Sequence, residues 1–162
     1  METKESIYFY KTNNKFDYMS NFYSCKFKDI NNIIYNCSEQ YFMYQKCLLF
    51  ESNNNKLLEK ILVEKNPMLI KKLGRTIKNF DEKKWNEVCY NIMLDGLKLK
   101  FGQNKDIMDK LSKTEKKNLY EASKYDKIWG IGFYAENAIY ISKDKYGANL
   151  LGKCLMEIRN DS

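Results

Sequence analysis

The sequence predicts an α+β fold in which helices dominate, and three observations support this prediction. The N-terminal third contains short runs of aromatic and β-branched residues, which are typical of strands. From Ser38 onward, apolar residues recur with a helical period over several segments. The chain of 162 residues has no internal repeat, low-complexity tract or linker, so residues 1–162 are expected to form a single domain.

The strands are predicted from residue type and from turn signals. The segment IYFYK at 7–11 is aromatic and β-branched. The segment at 24–37 is expected to form two strands around a turn at Asn31 and Asn32. Between these strands, FDYMSNFYS is expected to be a loop that is unusually rich in aromatic residues. Later in the chain, NLYEAS at 118–123 is predicted to be a further strand.

The helices are predicted from apolar periodicity and from the capping residues at their ends. Asn66 and Pro67 are expected at the N-cap and first position of one helix, with Gly74 near its C-terminus. Asp81 is expected to cap the longest helix, and Asn149 the last one. The inward face of the longest helix is expected to carry Trp85, Val88, Cys89, Ile92 and Leu99. In chain order, the predicted helices are SEQYFMYQKCLLF, NNNKLLEKILVEKN, NPMLIKKLGR, FDEKKWNEVCYNIMLDGLKLKFG, NKDIMDKLSKT and NLLGKCLMEIR.

The composition excludes several kinds of chemistry. The chain has no histidine, so Ser-His-Asp sites, Cys-His sites and His-ligated metal sites are excluded. Catalysis therefore has to use carboxylates, Lys, Tyr or Cys. The five cysteines are odd in number and include no C-x-x-C pair, so neither a disulfide framework nor a zinc site is indicated. We expect no metal and no cofactor.

The net charge of +7 favours anionic partners such as phosphates or nucleic acid. Only two of the 28 basic residues are Arg, so the sequence does not favour reading of base edges in a DNA groove. There is no apolar run of membrane-spanning length, no signal peptide and no lipidation motif. We therefore expect a cytoplasmic protein without a membrane partner, and the sequence does not indicate its oligomeric state.

Two basic residues and one carboxylate in the first half of the chain are candidate site residues. Glu39 and Lys46 lie seven residues apart on the first predicted helix, so their side chains point in nearly the same direction. Glu39 is either a catalytic carboxylate or part of a capping box with Asn36 as the N-cap. Lys46 is either a site residue or a solvated charge. Arg75 either complements the dipole at a helix C-terminus or binds phosphate as a fork.

The segment EASKYDKIWGIG contains a second set of candidates, Glu121, Asp126, Trp129, Gly130 and Gly132. Glycines at alternate positions let a backbone approach a ligand and present its N–H groups. The spacing is not the G-x-G-x-x-G of a dinucleotide-binding turn. Trp129 is either a ring that stacks on a base or a core residue. Carboxylate, Trp and glycines in one loop together indicate a ligand pocket.

The last predicted helix has three further candidates. With Asn149 as its cap, its free N–H groups would suit an anion. Gly152 inside the helix costs about 1 kcal/mol relative to Ala, which indicates close packing or close approach of a ligand. Lys153 either reaches a phosphate or contacts only water.

Taken in order from about residue 7 to residue 159, these motifs resemble the NADAR superfamily (NAD- and ADP-ribose-associated), the YbiA-like proteins. The resemblance implies a compact α+β fold and hydrolysis of N-glycosidic bonds to groups that contain ribose phosphate. Two activities are known in the family, cleavage of phosphorylated riboflavin-biosynthesis intermediates and removal of ADP-ribose from guanine in nucleic acid. The segments that carry the resemblance are IYFYK, SNFYS, SEQYFMYQK, NPMLIKKLGR, Trp85, LKLKFGQN, LYEASKYDKIWGIG and GANLLGKCLMEIR.

The resemblance also implies roles for individual residues. The implied catalytic residues are Glu39, Lys46 and Asp126. One departure from the family is Gln40, where many relatives carry His, although Gln still offers hydrogen bonds. The implied partner is ADP-ribose or another ribose-phosphate substrate, including ADP-ribosylated DNA or RNA, and the expected activity is removal of ADP-ribose from guanine. The alternatives are an N-glycosidase of phosphorylated riboflavin-biosynthesis intermediates and a non-catalytic ADP-ribose or NAD binding module. The implied substrate-binding residues are Asn21, Phe22, Gly74, Arg75, Trp85, Glu121, Trp129, Gly130, Gly132, Asn149 and Lys153.

Overall fold

The computed structural model describes residues 1–11 and 14–161, which divide into two compact units. The terminal unit consists of Met1–Tyr23 and the chain from Lys105 onward, and the central unit is Ser24–Asn104. That the whole chain is one domain stays a prediction. In chain order the elements are β1 (Ser6–Phe9), β2 (Phe27–Lys28), β3 (Ile34–Tyr35), α1 (Ser38–Glu51), α2 (Asn55–Val63), α3 (Pro67–Gly74), α4 (Glu82–Gly102), α5 (Lys105–Ser112), β4 (Asn118–Glu121), α6 (Ala135–Ala138) and α7 (Leu150–Asn160).

The terminal unit is built on a pair of parallel strands. β1 pairs with β4, and Ile7 lies opposite Leu119. Parallel strands need a long crossover connection, and here it runs through residues 10–117. Helix α7 packs against β4 and α5. Arg159 ties α7 down, because its Nη1 donates to Thr114 Oγ1 at 2.9 Å and to the Lys117 carbonyl at 2.8 Å.

The central unit is arranged around α1. The helix contacts α2, α3 and α4, and it follows the antiparallel hairpin of β2 and β3, in which Phe27 lies opposite Tyr35. Asn32 turns the hairpin with a φ of 61°, a left-handed conformation that Asn tolerates better than most residues. None of the helices in the described residues combines the length and the apolar character that a membrane-spanning segment needs.

The predicted α+β architecture is confirmed, and so are the main capping signals. The side chain of Asn66, which precedes Pro67, accepts a hydrogen bond from the Met68 N–H, and the side chain of Asp81 accepts one from the Lys84 N–H. The predicted hairpin and the strand at 118–123 are both present, the latter as β4. The segment 124–148 is mostly loop, as predicted, with the short helix α6 inside it.

Three local predictions were wrong. The N-cap of α1 is Cys37 rather than Asn36, because the Asn36 N–H donates to the side chain of Gln40 at 2.7 Å. Asn149 occupies the N-cap position of α7, but its side chain makes no capping hydrogen bond. The buried face of α4 is broader than one stripe because α4 packs against both α1 and β2. Trp85 and Cys89 are buried as predicted, whereas Val88, Ile92 and Leu99 are half-buried and Met93, Leu94, Leu97, Lys100 and Phe101 are buried instead.

Candidate active site

One face of α1 carries an acidic, a basic and two aromatic side chains. Glu39, Phe42, Lys46 and Phe50 are spaced by three or four residues, which aligns them along the helix. The Glu39 side chain is buried, with an exposed fraction of 6%. Lys46 is half-buried, so it is not the fully solvated charge that a lysine in this lysine-rich chain would usually be.

The Lys46 amine lies against aromatic rings. Its Nζ is 4.5 Å from the centroid of the Phe80 ring and 5.7 Å from that of Trp85, within the range of cation–π attraction. Phe42 contacts Trp85 with centroids 4.9 Å apart, and Phe50 contacts Phe80 at 5.2 Å. We call Phe42, Phe50, Phe80 and Trp85 the aromatic cradle. Cation–π attraction holds the Lys46 amine against these rings, and the rings exclude water from that side of the amine.

The environment of Lys46 lowers its pKa. Burial is the largest cause, because desolvation disfavours the ammonium form. The nearby carboxylate of Glu39 opposes this shift, whereas the positive charge of Arg75 adds to it. Lys46 therefore releases its proton more readily than an exposed lysine, which is what an amine needs to act as a nucleophile or as an acid near neutral pH.

The end of α3 brings Gly74 and Arg75 to the same place. The Gly74 carbonyl accepts a hydrogen bond from Lys46 Nζ at 3.3 Å. A side chain at Gly74 would overlap the Met43 side chain of α1, so a larger residue here would require Met43 to move. Arg75 is the C-cap residue of α3 and is exposed, which leaves its guanidinium open to an anionic group.

A polar groove of about 450 Å³ borders the aromatic cradle at Phe50. Its other lining residues come from the end of α1, from the turn that precedes α2 and from the segment that follows α3. They are Glu51, Ser52, Asn53, Asn54 and Asn79. The groove offers hydrogen-bonding groups next to the cradle, which suits a hydroxylated ligand.

In the terminal unit, Asp126 binds backbone. Its Oδ1 accepts from the N–H of Ile128 at 2.9 Å and of Trp129 at 2.7 Å, and the Gly130 N–H lies 3.4 Å away. This arrangement fixes the turn that carries the half-buried Trp129. The catalytic assignment of Asp126 stays a prediction, and the geometry of Oδ1 shows an architectural role.

Asn149 joins α7 to β4. Its backbone is left-handed, with a φ of 52°, and its buried side chain accepts from the Glu121 N–H at 3.0 Å and donates to the Leu119 carbonyl at 2.9 Å. A side chain at Gly152 would overlap the Leu119 carbonyl, so α7 lies directly on the strand. The packing alternative for Gly152 is therefore the observed one.

The remaining candidates of the terminal unit differ in exposure. Lys153 is exposed on α7, Phe22 is half-buried, and Gly132 is buried with a φ of 78° that favours glycine. Asn21 is buried, with an exposed fraction of 9%, and its Oδ1 has no hydrogen-bond partner among the described residues. A buried acceptor without a partner is costly, so Asn21 is suited to receive a donor from a ligand.

The predicted residues thus form two groups. The central unit brings together Glu39, Lys46, Gly74, Arg75 and Trp85. The terminal unit brings together Glu121, Asp126, Trp129, Gly130 and Asn149, since Gly130 also accepts from the Asn149 N–H at 3.2 Å. Among residues 1–11 and 14–161, no group of three or more Cys, Asp or Glu is arranged to hold a metal ion.

Sequence reasoning missed Lys100 and the role of Gln40. Lys100 is fully buried on α4. Burial is the largest cause of the raised pKa of Cys37, which is about 11, and the positive charge of Lys100 opposes that rise. Lys100 lies three residues after Leu97, on the buried face of α4, and this spacing is the signal that would have found it. Gln40 is also fully buried, and its Nε2 donates to the carbonyls of Ile61, Leu62 and Glu64 at 2.9–3.0 Å. Gln40 therefore holds the end of α2 against α1.

Comparisons with known proteins agree with this fold. A family model described as the NADAR domain matches residues 8–161. The NMR structure of the Escherichia coli protein YbiA superposes with a TM-score of 0.77 and 28% identity, over 99% of this chain and 86% of that one. In sequence, the N-glycosidase YbiA of E. coli K12 is 30% identical over 153 residues, which cover 94% of this chain and 86% of YbiA.

Two further relatives have informative names. N-glycosidase R617 of Acanthamoeba polyphaga mimivirus is 38% identical over 170 residues, which cover 100% of this chain and 99% of that protein. Riboflavin biosynthesis protein VVA0006 of Vibrio vulnificus is 27% identical over 158 residues, which cover 98% of this chain and 39% of that longer protein.

Proposed function

The chain belongs to the NADAR family and is a hydrolase of N-glycosyl bonds, and we propose that its substrate is an ADP-ribosylated guanine base in nucleic acid. The observation that carries the catalytic part of the proposal is the half-buried Lys46, whose pKa is lowered mainly by burial and further by the positive charge of Arg75, against the opposing effect of the Glu39 carboxylate. A solvated lysine does not need this arrangement, but an amine that takes part in bond cleavage does.

Cleavage of a bond between C1′ of ribose and a nitrogen creates two opposite charges. Positive oxocarbenium character develops on the ribose, and negative charge develops on the leaving base. In our proposal the Glu39 carboxylate stabilises the developing cation and takes a proton from the attacking water, whose oxygen bonds to C1′. The Lys46 ammonium gives a proton to the base nitrogen as the C1′–N bond breaks. Proton exchange with solvent then restores both groups.

A covalent variant assigns Lys46 as the nucleophile. Its neutral amine would attack C1′, displace the base and form an imine with the ring-opened ribose, and water would then release the sugar. Borohydride added during turnover would reduce that imine to a stable adduct on Lys46, detectable by mass spectrometry of the peptide. Full turnover without an adduct would assign Lys46 as the acid.

Arg75 is proposed to hold phosphate at the exposed edge of this group. A guanidinium binds phosphate through two parallel hydrogen bonds. A phosphate bound there would also offset the positive charge that contributes to the lowered pKa of Lys46. Substrate binding would thus favour the ammonium form that donates a proton to the leaving base. The substrate-binding roles of Asn21, Trp129 and Lys153 in the terminal unit stay predictions.

The net charge of +7 supports a polyanionic substrate over a small metabolite. The name of the Vibrio relative supports a second candidate, the phosphorylated intermediates of riboflavin biosynthesis. A purely binding module is the third candidate, and the names of the relatives called N-glycosidase speak against it.

The test is a turnover assay on two substrates side by side. One is an oligonucleotide that carries ADP-ribosylated guanine, and the other is the phosphorylated aminouracil riboside of the riboflavin pathway. Each is assayed with the unaltered protein, with Glu39→Gln and with Glu59→Gln, a matched control on the exposed face of α2. We expect release of ADP-ribose that Glu39→Gln abolishes and Glu59→Gln retains. Cleavage of the riboside alone would replace this proposal with the metabolite hydrolase.

A further inference from the structure

Three tyrosine rings lie in a row on the terminal unit. The ring centroids of Tyr10 and Tyr134 are 6.5 Å apart, and those of Tyr134 and Tyr125 are 6.4 Å apart. Tyr125 is 80% exposed and Tyr134 is 36% exposed, so much of this aromatic area contacts water.

Two lysines lie over the same rings. Lys11 Nζ is 5.1 Å from the Tyr10 centroid, and Lys124 Nζ is 5.5 Å from that of Tyr125 and 5.7 Å from that of Tyr134. We call these five residues the tyrosine–lysine surface. One acidic residue, Glu136, interacts electrostatically with Tyr134. The two lysines outnumber this one negative charge. The surface thus combines exposed aromatic faces with positive charge.

From this combination we propose that the tyrosine–lysine surface binds single-stranded nucleic acid. The inference rests on the proposed function, since it supplies the partner on which the enzyme would act. Every base has a π-face that stacks on an aromatic ring regardless of sequence, and lysines bind the phosphates between bases. A surface of tyrosine and lysine therefore recognises a strand without reading its sequence.

The spacing of the rings favours a single strand over a duplex. Adjacent centroids are 6.4 and 6.5 Å apart, nearly twice the roughly 3.4 Å rise per nucleotide of a stacked strand, and the planes of adjacent rings are inclined by 88° and 59°, so two bases in one continuous stack cannot both stack on them. Bases that pair with successive rings must therefore be unstacked, which a duplex does not allow. Enzymes that act on a base also need it out of the helical stack, so an unpaired strand is the substrate form that such an enzyme meets.

The test measures equilibrium binding separately from turnover. The probe is a short, unmodified, fluorescein-labelled single-stranded oligonucleotide followed by fluorescence anisotropy, and the matching duplex is its comparison. Tyr125→Ala removes the most exposed ring of the surface, and Lys124→Ala removes the cation that contacts two rings. The matched controls are Tyr140→Ala and Lys113→Ala. Tyr140 is 86% exposed and contacts no other ring within the described residues, and Lys113 is an exposed lysine.

We expect Tyr125→Ala to weaken binding of the single strand by about 5- to 150-fold, the range found when a stacking ring is truncated. Lys124→Ala should reduce the steepness of the dependence of log affinity on log salt by about 0.7. The two controls should bind as the unaltered protein does. Equal binding by Tyr125→Ala, equal binding of the duplex or no binding of the strand would each overturn the proposal.

Turnover separates failure of this surface from failure of the proposed function. If Tyr125→Ala raises KM for the modified oligonucleotide and leaves hydrolysis of free ADP-ribosylated guanosine unchanged, both proposals stand. If the strand binds through Tyr125 but modified guanine is never hydrolysed, the proposed function fails and the surface stands. If modified oligonucleotide is hydrolysed and Tyr125→Ala changes neither Kd nor KM, the surface fails and the function stands.

Discussion

The α1 face of the central unit and the loop at 124–132 of the terminal unit use scarce residues in different ways. On α1, the structure changes the chemistry of a side chain, since burial and Arg75 lower the pKa of Lys46. In the loop, the structure uses side chains to fix the backbone, since Asp126 Oδ1 accepts from the N–H groups of Ile128 and Trp129.

The difference teaches that an unusual residue marks either chemistry or architecture, and that hydrogen bonding and charge tell which. Lys46 contacts rings and one carbonyl, and its perturbed amine points to a reaction. Asn149 and Gly152 are equally conspicuous in sequence, yet they serve the contact between α7 and β4. The predictions below test each side of this comparison.

The largest effect is expected at Lys46. Lys46→Met keeps a flexible apolar chain inside the aromatic cradle but removes the amine, so folding should persist. We expect kcat to fall by about 10²- to 10⁴-fold, the usual contribution of a positioned acid or base. Steady-state kinetics and thermal melting measure the two quantities, and Lys56→Met on the exposed side of α2 is the control. Near-normal turnover in Lys46→Met would assign the α1 face to architecture as well.

The next effect concerns stability at Asn149. Asn149→Ala leaves the Glu121 N–H and the Leu119 carbonyl without their partner and places Ala in a left-handed conformation. We expect the free energy of unfolding to fall by about 3 kcal/mol in urea denaturation. Asn149→Gly should lose about 1 kcal/mol less, because glycine accepts the left-handed backbone. Equal losses in both variants would show that the hydrogen bonds alone matter.

Much of the fold follows from the sequence because its signals are local. The caps at Asn66 and Asp81, the turn at Asn32 and the apolar periods each depend on a few neighbouring residues. Prediction failed where a distant partner decides the outcome. Asn149 is a good N-cap residue, but the β4 backbone takes its side chain. Gln40 likewise binds the carbonyl groups at the end of α2.

The candidate site could be predicted only in part, again because some of its contacts come from distant segments of the chain. The spacing of Glu39 and Lys46 follows from helix geometry, but the cradle requires Phe80 and Trp85 from segments far along the chain. Lys100 was missed because a lysine in a lysine-rich helix is normally solvated, whereas here both α1 and β2 pack on α4. Residue roles implied by resemblance alone did not separate the backbone function of Asp126 from that of a catalytic carboxylate.

A smaller effect is expected when Asp126 keeps its hydrogen-bonding oxygen. Asp126→Asn retains Oδ1 as an acceptor for the loop N–H groups, so turnover should stay close to that of the unaltered protein. Asp126→Ala should lose activity, because the loop N–H groups lose their acceptor and the loop is no longer held in place. Glu39→Gln is the matched change on α1 and should abolish turnover. If Asp126→Asn is as inactive as Glu39→Gln, Asp126 is a catalytic carboxylate and the two regions are chemically alike.

The smallest effect is a shift of the pH profile in Arg75→Gln. Burial lowers the pKa of Lys46 most, and the Arg75 charge lowers it further, so removal of the guanidinium raises that pKa. If the free amine of Lys46 is required, the rising acidic limb of kcat against pH moves to higher pH. If the ammonium is required, the falling alkaline limb moves to higher pH.

Because Arg75 is exposed, added salt should shrink this shift of the pH profile. Lys72→Gln removes an exposed charge of α3 that is not among the causes of the Lys46 shift and should leave both limbs in place. The limb that moves therefore assigns the role of Lys46, and a profile that does not move contradicts the electrostatic contact on which the α1 side of the comparison depends.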